Sequence, residues 1–411
     1  MIRAHEELAF RVTHLATPGL IAMVVLLASA GELQSQHPPL PGPPSGLAQP
    51  ETEFSVVAGG SGEPRDVLAG DALMYIGTYE GSIYVLDEAE EKVVDRIPLE
   101  TGIPRNLDLS ADGERFYVRD ISYERVEVVD VTTRKTLDVF TLSEGDEKIR
   151  IWGMEVAPGE EYAILLVRSY RKLSDRFEIG DTQLLQYDLA EHQVIRELPW
   201  PDGRPRERMN MRFSQDGGLL YMFVDDVRVY ETKEFSEVDR WDYSDAMGDG
   251  VEELSFGFPD TPYEDPGIFT GLFRVTDPVH DRRMMGVARV DLDGRDFEFT
   301  ILGPDEPGLR FALAPDRRSA FILKSQVDDY QFWTLDLDAG RVLSRQRFAG
   351  RPRMTLLSSS NGEVLYIYNA GNTIDLYRAD GYEYLRTIVL DADTTTDLII
   401  LPPPGGSTGD I

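Results

Sequence analysis

The chain has 411 residues, 73 acidic against 41 basic, for a formal net charge of −32 and a sequence pI near 4.5. That balance argues against tracking a phosphate backbone or docking on anionic lipid. The absence of cysteine excludes disulfides, thiolate metal centres and a thiol nucleophile. With 42% hydrophobic and 10% aromatic residues, the chain can still build a substantial core.

Residues 1–30 read as an export signal. Arg3 and Arg11 precede an uncharged run from Val12 to Gly31, and Ala28-Ser29-Ala30 supplies the small residues of a cleavage site. The alternative is an uncleaved anchor, because that run is 20 residues, just long enough to span a bilayer. Pro18-Gly19 near its start and the small residues at its end favour cleavage. An exported chain without cysteine suits a periplasm or a cell surface. Residues 31–65 form a tether, proline-rich around His37 to Ser45, where an extended polyproline conformation has no face to bury.

From 66 to 411 the chain repeats. The clearest unit runs Met74-Tyr-Ile-Gly-Thr, Ile83-Tyr-Val-Leu-Asp87, Lys92-Val-Val and Ile103 to Gly113. It is a series of short β-branched and aromatic runs bounded by turn residues. Strand ends recur at Asp87, Asp130, Asp188, Glu231, Asp291, Asp336 and Arg378, in steps of 43, 58, 43, 60, 45 and 42 residues. Four short strands per forty-odd residues is the period of a propeller blade, so seven markers predict an all-β, seven-bladed β-propeller of four-stranded antiparallel blades. The turn leaving the innermost strand recurs as Ser110-Ala-Asp-Gly, Ala157-Pro-Gly-Glu, Ser214-Gln-Asp-Gly, Ala314-Pro-Asp-Arg and Ser359-Ser-Asn-Gly. Asp397-Leu-Ile-Ile-Leu-Pro aligns with Asn106-Leu-Asp-Leu, an innermost strand with no outer strands after it. The C-terminal strand is therefore expected to complete the first blade and close the ring.

The motifs Tyr75-Ile-Gly-Thr, Ile83-Tyr-Val-Leu-Asp, Lys92-Val-Val, Ile97-Pro and Leu109-Ser-Ala-Asp-Gly resemble the YVTN-type β-propeller repeat. That repeat occurs in bacterial and archaeal surface proteins. It also groups with the propellers of the quinohaemoprotein amine dehydrogenase β chain and of cytochrome cd1 nitrite reductase. The resemblance covers roughly 66–402 and implies fold far more than activity. The Gly-His…Trp-Asp signature of WD repeats is absent, with Trp241-Asp242 placed in a connection, and the tryptophan-docking motif of PQQ-binding propellers is missing.

Candidates for chemistry are few. Of five histidines, only His192 and His280 lie in the repeats. His192 occupies an outer hairpin turn, where a solvated polar residue is expected. His280, in Asp277-Pro-Val-His-Asp, reads as a solvated loop residue between carboxylates. The oxygen-rich stretch Asp242 to Glu253 is a calcium candidate, although its spacing departs from an EF-hand loop; no other cofactor is expected. Arginine, in contrast, recurs beside the innermost strands as Arg105, Arg150 (with Trp152 close by), Arg208, Arg212, Arg310 and Arg353. On a propeller these line one mouth of the central channel. They either bridge neighbouring blades or form a funnel whose guanidinium forks receive an anion. The two long steps place extra residues at 168–180 and 276–285, in connections expected on that same face.

The expected function is therefore a monomeric exported propeller that binds a protein or a small, anionic ligand on its loop-rich face, without nucleic acid and without catalysis. The alternative is an enzyme or enzyme subunit on the same scaffold, lactonase-like, hydrolase-like, or the β-subunit of a redox dehydrogenase complex.

Overall fold

The computed structural model describes residues 67, 69–243, 247, 252–257, 263–351, 354–368 and 371–402. The export signal, the tether and Arg353 lie outside the described residues. So does most of the calcium candidate, 244–246 and 248–251, and nothing is described of the Glu252 and Glu253 side chains.

Among the described residues, 28 strands form seven four-stranded antiparallel sheets. Sheets 2 to 7 each use four consecutive strands, with first strands Pro104–Leu109, Glu147–Val156, Asn210–Phe213, Glu252–Gly257, Leu309–Leu313 and Thr355–Ser358. The first sheet is assembled from both ends of the repeat region. Leu73–Thr78 pairs on one side with Ser82–Asp87 and on the other with Ile399–Leu401, through Leu73↔Leu401, Met74↔Ile400 and Tyr75↔Ile399. Here the C-terminal strand takes the innermost place, as its alignment with Asn106-Leu-Asp-Leu predicts. Gly77 is required at this crossing, because a Cβ there would meet Thr396 Cγ2 at 2.5 Å and Pro104 Cγ at 2.6 Å.

Strand alternation sends apolar side chains to both faces of each blade, so every blade must bury itself against two neighbours. Seven hydrophobic clusters do this, one per interface. Tyr75 and Val85 of blade 1 pack on Phe116 and Val118 of blade 2. Five further clusters join blades 2–3, 3–4, 4–5, 5–6 and 6–7 in turn. The seventh packs Tyr366 and Ile374 of blade 7 on Met74, Tyr84 and Ile400 of blade 1. The circuit of contacts is complete: this is a seven-bladed β-propeller. Each fully buried aromatic or aliphatic side chain contributes about 1.5–3 kcal/mol.

A second repeating device sits on the outside. The hairpin turn between the third and fourth strands of each blade holds a residue in the left-handed region: Glu91, Arg134, His192, Phe235, Arg295, Gly340 and, after Gly381 in the same conformation, Tyr382. Most of these side chains reach the outermost strand of the preceding blade. Arg134 bonds Asp95 at 2.5 Å, His192 Nε2 meets Asp138 at 2.6 Å, and Arg295 meets Asp239 at 2.9 Å. Arg196 lies 4.6 Å over the Phe235 ring, and Arg386 of blade 7 pairs with Glu91 of blade 1. Gly340 instead lets Thr300 approach, at 3.1 Å from where its Cβ would be. His192 is thus an inter-blade latch rather than a freely solvated turn residue. Its partner, Asp138, is 54 positions away and invisible to local reading.

Two further expectations change. Trp241 is not in a connection; it ends the strand Ser236–Trp241, is buried, and packs edge-on against Phe297. The extra residues of blades 3 and 5 form no long second-to-third-strand loops either. They lengthen the hairpins Tyr162–Lys172/Phe177–Asp188 and Ile268–Asp277/Arg282–Asp291, leaving only four residues in each turn. Pairing continues because both arms keep runs of residues that accept extended backbone.

Candidate ligand-binding mouth

In blades 2 and 3 the inner strand bulges at the same repeat position. Pro104 pairs with Asp120 and Asn106 with Arg119, so Arg105 is the extra residue; Ile151 pairs with Val167 and Gly153 with Leu166, which leaves Trp152. A bulge breaks the pleat's alternation and re-aims its extra side chain. Here the two re-aimed groups share one partner. The Trp152 ring lies 4.8 Å from that of Tyr123, and the Tyr123 hydroxyl accepts from Arg105 Nε at 3.1 Å. Arg105 Nη1 also donates to the Thr395 carbonyl at 3.4 Å, on the segment leading into the inner strand of blade 1. Blades 1, 2 and 3 thereby contribute to one arginine–aromatic platform.

Arg119 holds the platform from below. Its side chain is almost wholly buried and donates through Nε and Nη2 to Asp108, at 3.0 and 3.3 Å. Through Nη1 it also donates to the carbonyls of Ile151 at 3.3 Å and Trp152 at 2.9 Å, tying the blade 3 bulge to blade 2. Sequence reasoning missed Arg119. The available signal was a charge inside the otherwise apolar strand Phe116-Tyr-Val-Arg-Asp, where burial of an arginine demands a partner.

The arginines expected at the mouth divide into two sets. Arg212 is committed to the scaffold: it pairs with Glu155 of blade 3 at 3.1 Å and lies 5.1 Å over the Phe269 ring of blade 5. Arg105, Arg150, Arg208 and Arg310 have no carboxylate within ion-pair distance among the described residues. Arg105 is exposed and bonds only the two neutral oxygens above. Arg310 is exposed and donates only to the carbonyl of its neighbour Leu309, at 3.2 Å. Arg150 lies 4.6 Å over the Tyr170 ring, with a buried Nε that meets no acceptor. Arg208 is exposed and makes no described contact. Their neighbours behave differently. Arg206 pairs with Asp202 at 2.5 Å, Arg168 with Glu207 at 3.1 Å, and Lys324 with both Glu306 and Asp329. The Asp202 carboxyl is held below its ordinary range by that Arg206 hydrogen bond.

In a chain of net charge −32 most described cations reach a carboxylate and these four do not, a condition they share with Arg345 and Arg347 on the outer strand of blade 6. Arg105, Arg150 and Arg310 could receive an anion with their free N–H groups, and Trp152, 38% exposed, could stack on a planar or apolar group beside it. His280, the histidine in the other long hairpin, is bonded to Asp277 at 2.8 Å, and among the described residues no three His, Asp or Glu side chains are placed to hold a metal ion.

No family model matches the chain, and no curated protein matches it in sequence. Solved structures do match in shape. A functionally unknown protein from Desulfotomaculum acetoxidans DSM 771 is 10% identical with a TM-score of 0.50, covering 81% of this chain and 100% of its own. Dihydro-heme d1 dehydrogenase NirN is 12% identical with a TM-score of 0.49, over 85% of this chain and 78% of that one. The β-propeller domain of Cps50 (Swd1) from Myceliophteria thermophila is 12% identical with a TM-score of 0.47, over 73% and 90%. At these identities the likeness concerns the fold alone, and that fold is the β-propeller.

Proposed function

We propose that this chain is an exported propeller of the YVTN-repeat type that binds an anionic ligand, or an acidic segment of a protein partner, at the Arg105–Tyr123–Trp152 mouth. It does so as a monomer and without catalysis. The observation that carries this reading is the contrast within one face. Arg206, Arg168 and Lys324 are neutralised by carboxylates, whereas Arg105 and Arg310, exposed at the start of inner strands, are not. Ordinary inter-blade bridging accounts for Arg212 and Arg119 but leaves the others unexplained.

The test is a titration with citrate and with pyrophosphate, followed by tryptophan fluorescence and calorimetry. Saturable binding is expected for one of them. The double variant Arg105→Ala/Arg310→Ala should weaken it by one to two decades per arginine, since a charge-assisted contact is worth roughly 1.5–3 kcal/mol. Added salt should weaken the wild type more than the variant. Equal affinity in both proteins, or no binding of either anion, would remove the reading. Turnover of a lactone or ester by the purified chain would move the assignment to the enzyme class.

Export is part of the same proposal and is separately testable. N-terminal sequencing of secreted protein should begin near Gly31; mature, membrane-extracted protein that starts at Met1 would favour the anchored form.

A further inference from the structure

The outer latches identify a second site on the opposite face. At most interfaces a charged or aromatic side chain crosses between the turn of one blade and the outer strand of the blade before it. Between blades 6 and 7 the latch residue is Tyr382, which turns inward. Its ring stacks on Phe332 at 4.8 Å and 10°, and its hydroxyl bonds Thr334. Among the described residues no ion pair joins the outer strand of blade 6 to this turn, and a cleft of about 580 Å³ opens there, within the ~300–1,000 Å³ typical of small-molecule sites.

The lining sets the ligand class. Gln346, on the outer strand of blade 6, and Asp380, in the latch turn of blade 7, both line the cleft. Neither makes a described hydrogen bond. Leu343 and Phe321 add apolar wall, and the Ser344 hydroxyl, 3.3 Å from Thr334, adds a polar edge. No lysine or arginine is among the described lining residues, whereas Asp316 and Asp380 are. An anion would meet only negative charge there. A wholly apolar ligand would desolvate Gln346 and Asp380 without replacing their water. A molecule with an apolar C–H face and vicinal hydroxyls satisfies both walls, because hydroxyls donate to a carboxylate and exchange hydrogen bonds with an amide.

We propose that the cleft between blades 6 and 7 binds a neutral saccharide of one or two residues. It is independent of the arginine mouth: its turns join first to second and third to fourth strands, at the other end of the blades.

The test uses maltose, cellobiose and N,N′-diacetylchitobiose as probes, in saturation-transfer NMR and calorimetry on the full chain. At least one should saturate below about 10 mM, a modest affinity for an open cleft. Gln346→Ala and Asp380→Ala should each weaken it about tenfold, the scale of one lost hydrogen bond to a polar group. Leu343→Arg, which carries a long side chain over the cleft, should abolish it. All three positions are partly or fully exposed, so the unfolding temperature should hold and serve as the folding control. Arg105→Ala/Arg310→Ala should leave saccharide binding unchanged, which separates this site from the mouth. Three outcomes each overturn the proposal: no saturation by any probe at about 50 mM; equal affinity in all three folded variants; or displacement of the saccharide by millimolar putrescine, which would mark a cation site.

Discussion

Truncation after Asp393 is expected to leave a protein that aggregates or melts far below the full-length chain. The lost segment holds blade 1 closed in several ways at once. Among the described residues, Ile399–Leu401 supplies the ladder on the free side of Leu73–Thr78, and Thr394 adds a bridge to Thr78. Gly77 loses both its partners, the Thr396 Oγ1 that accepts from its N–H and the Thr395 N–H that donates to its carbonyl, each at 2.8 Å. Leu398, Ile400 and Leu401 are buried, and each contributes about 1.5–3 kcal/mol. Against a total stability of about 5–15 kcal/mol, that loss plus an exposed strand edge is decisive. The measurement is thermal unfolding with light scattering. A truncated protein that melts cooperatively at the full-length temperature would falsify closure by the C-terminal strand.

Replacing Glu88 is expected to have the next largest effect. This side chain is fully buried at the contact between blades 7 and 1, and four donors converge on it. Ser360 N and Tyr366 Oη donate to Oε1 at 3.0 and 2.9 Å; Ala72 N and Ser360 Oγ donate to Oε2 at 3.1 and 2.5 Å. Glu88→Ala leaves all four without an acceptor. Removing one partner of such a buried charged network costs about 3–5 kcal/mol. That lowers the melting temperature by on the order of 10 °C. Glu88→Gln keeps the shape and one acceptor oxygen, so it should fall between wild type and alanine. Tyr366 supplies an independent check: its hydroxyl lies in a desolvated site beside Glu88 that pushes its pKa well up. Tyr366→Phe should cost about 1–3 kcal/mol. Equal stability of Glu88→Ala and wild type would mean that the apolar cluster alone holds the two blades together.

The arginine mouth shows how far a one-dimensional reading reaches. The recurrence of arginine beside the inner strands is a property of the repeat, so Arg105, Arg150 and Arg310 could be picked out by spacing. Whether each guanidinium meets a carboxylate could not. Arg212 finds Glu155 at a separation of 57 residues, while among the described residues Arg105 finds a phenol and a carbonyl. Trp152 owes its exposure to a bulge, and a bulge is set by the pairing of two strands rather than by the composition of either.

By itself the sequence determined the blade count, the four-strand period, the turn chemistry and the place of the last strand. These are encoded over windows of about forty residues, where alternation and turn residues act on the backbone directly. The tertiary structure alone decided which charges are neutralised, which turn residues latch one blade to the next, and where the cleft at Tyr382 opens. Those features depend on side chains from different blades. Glu88 and Ser360, 272 positions apart, meet only after the ring is assembled. The energy of a buried polar group depends on that partner, not on its neighbours in the chain.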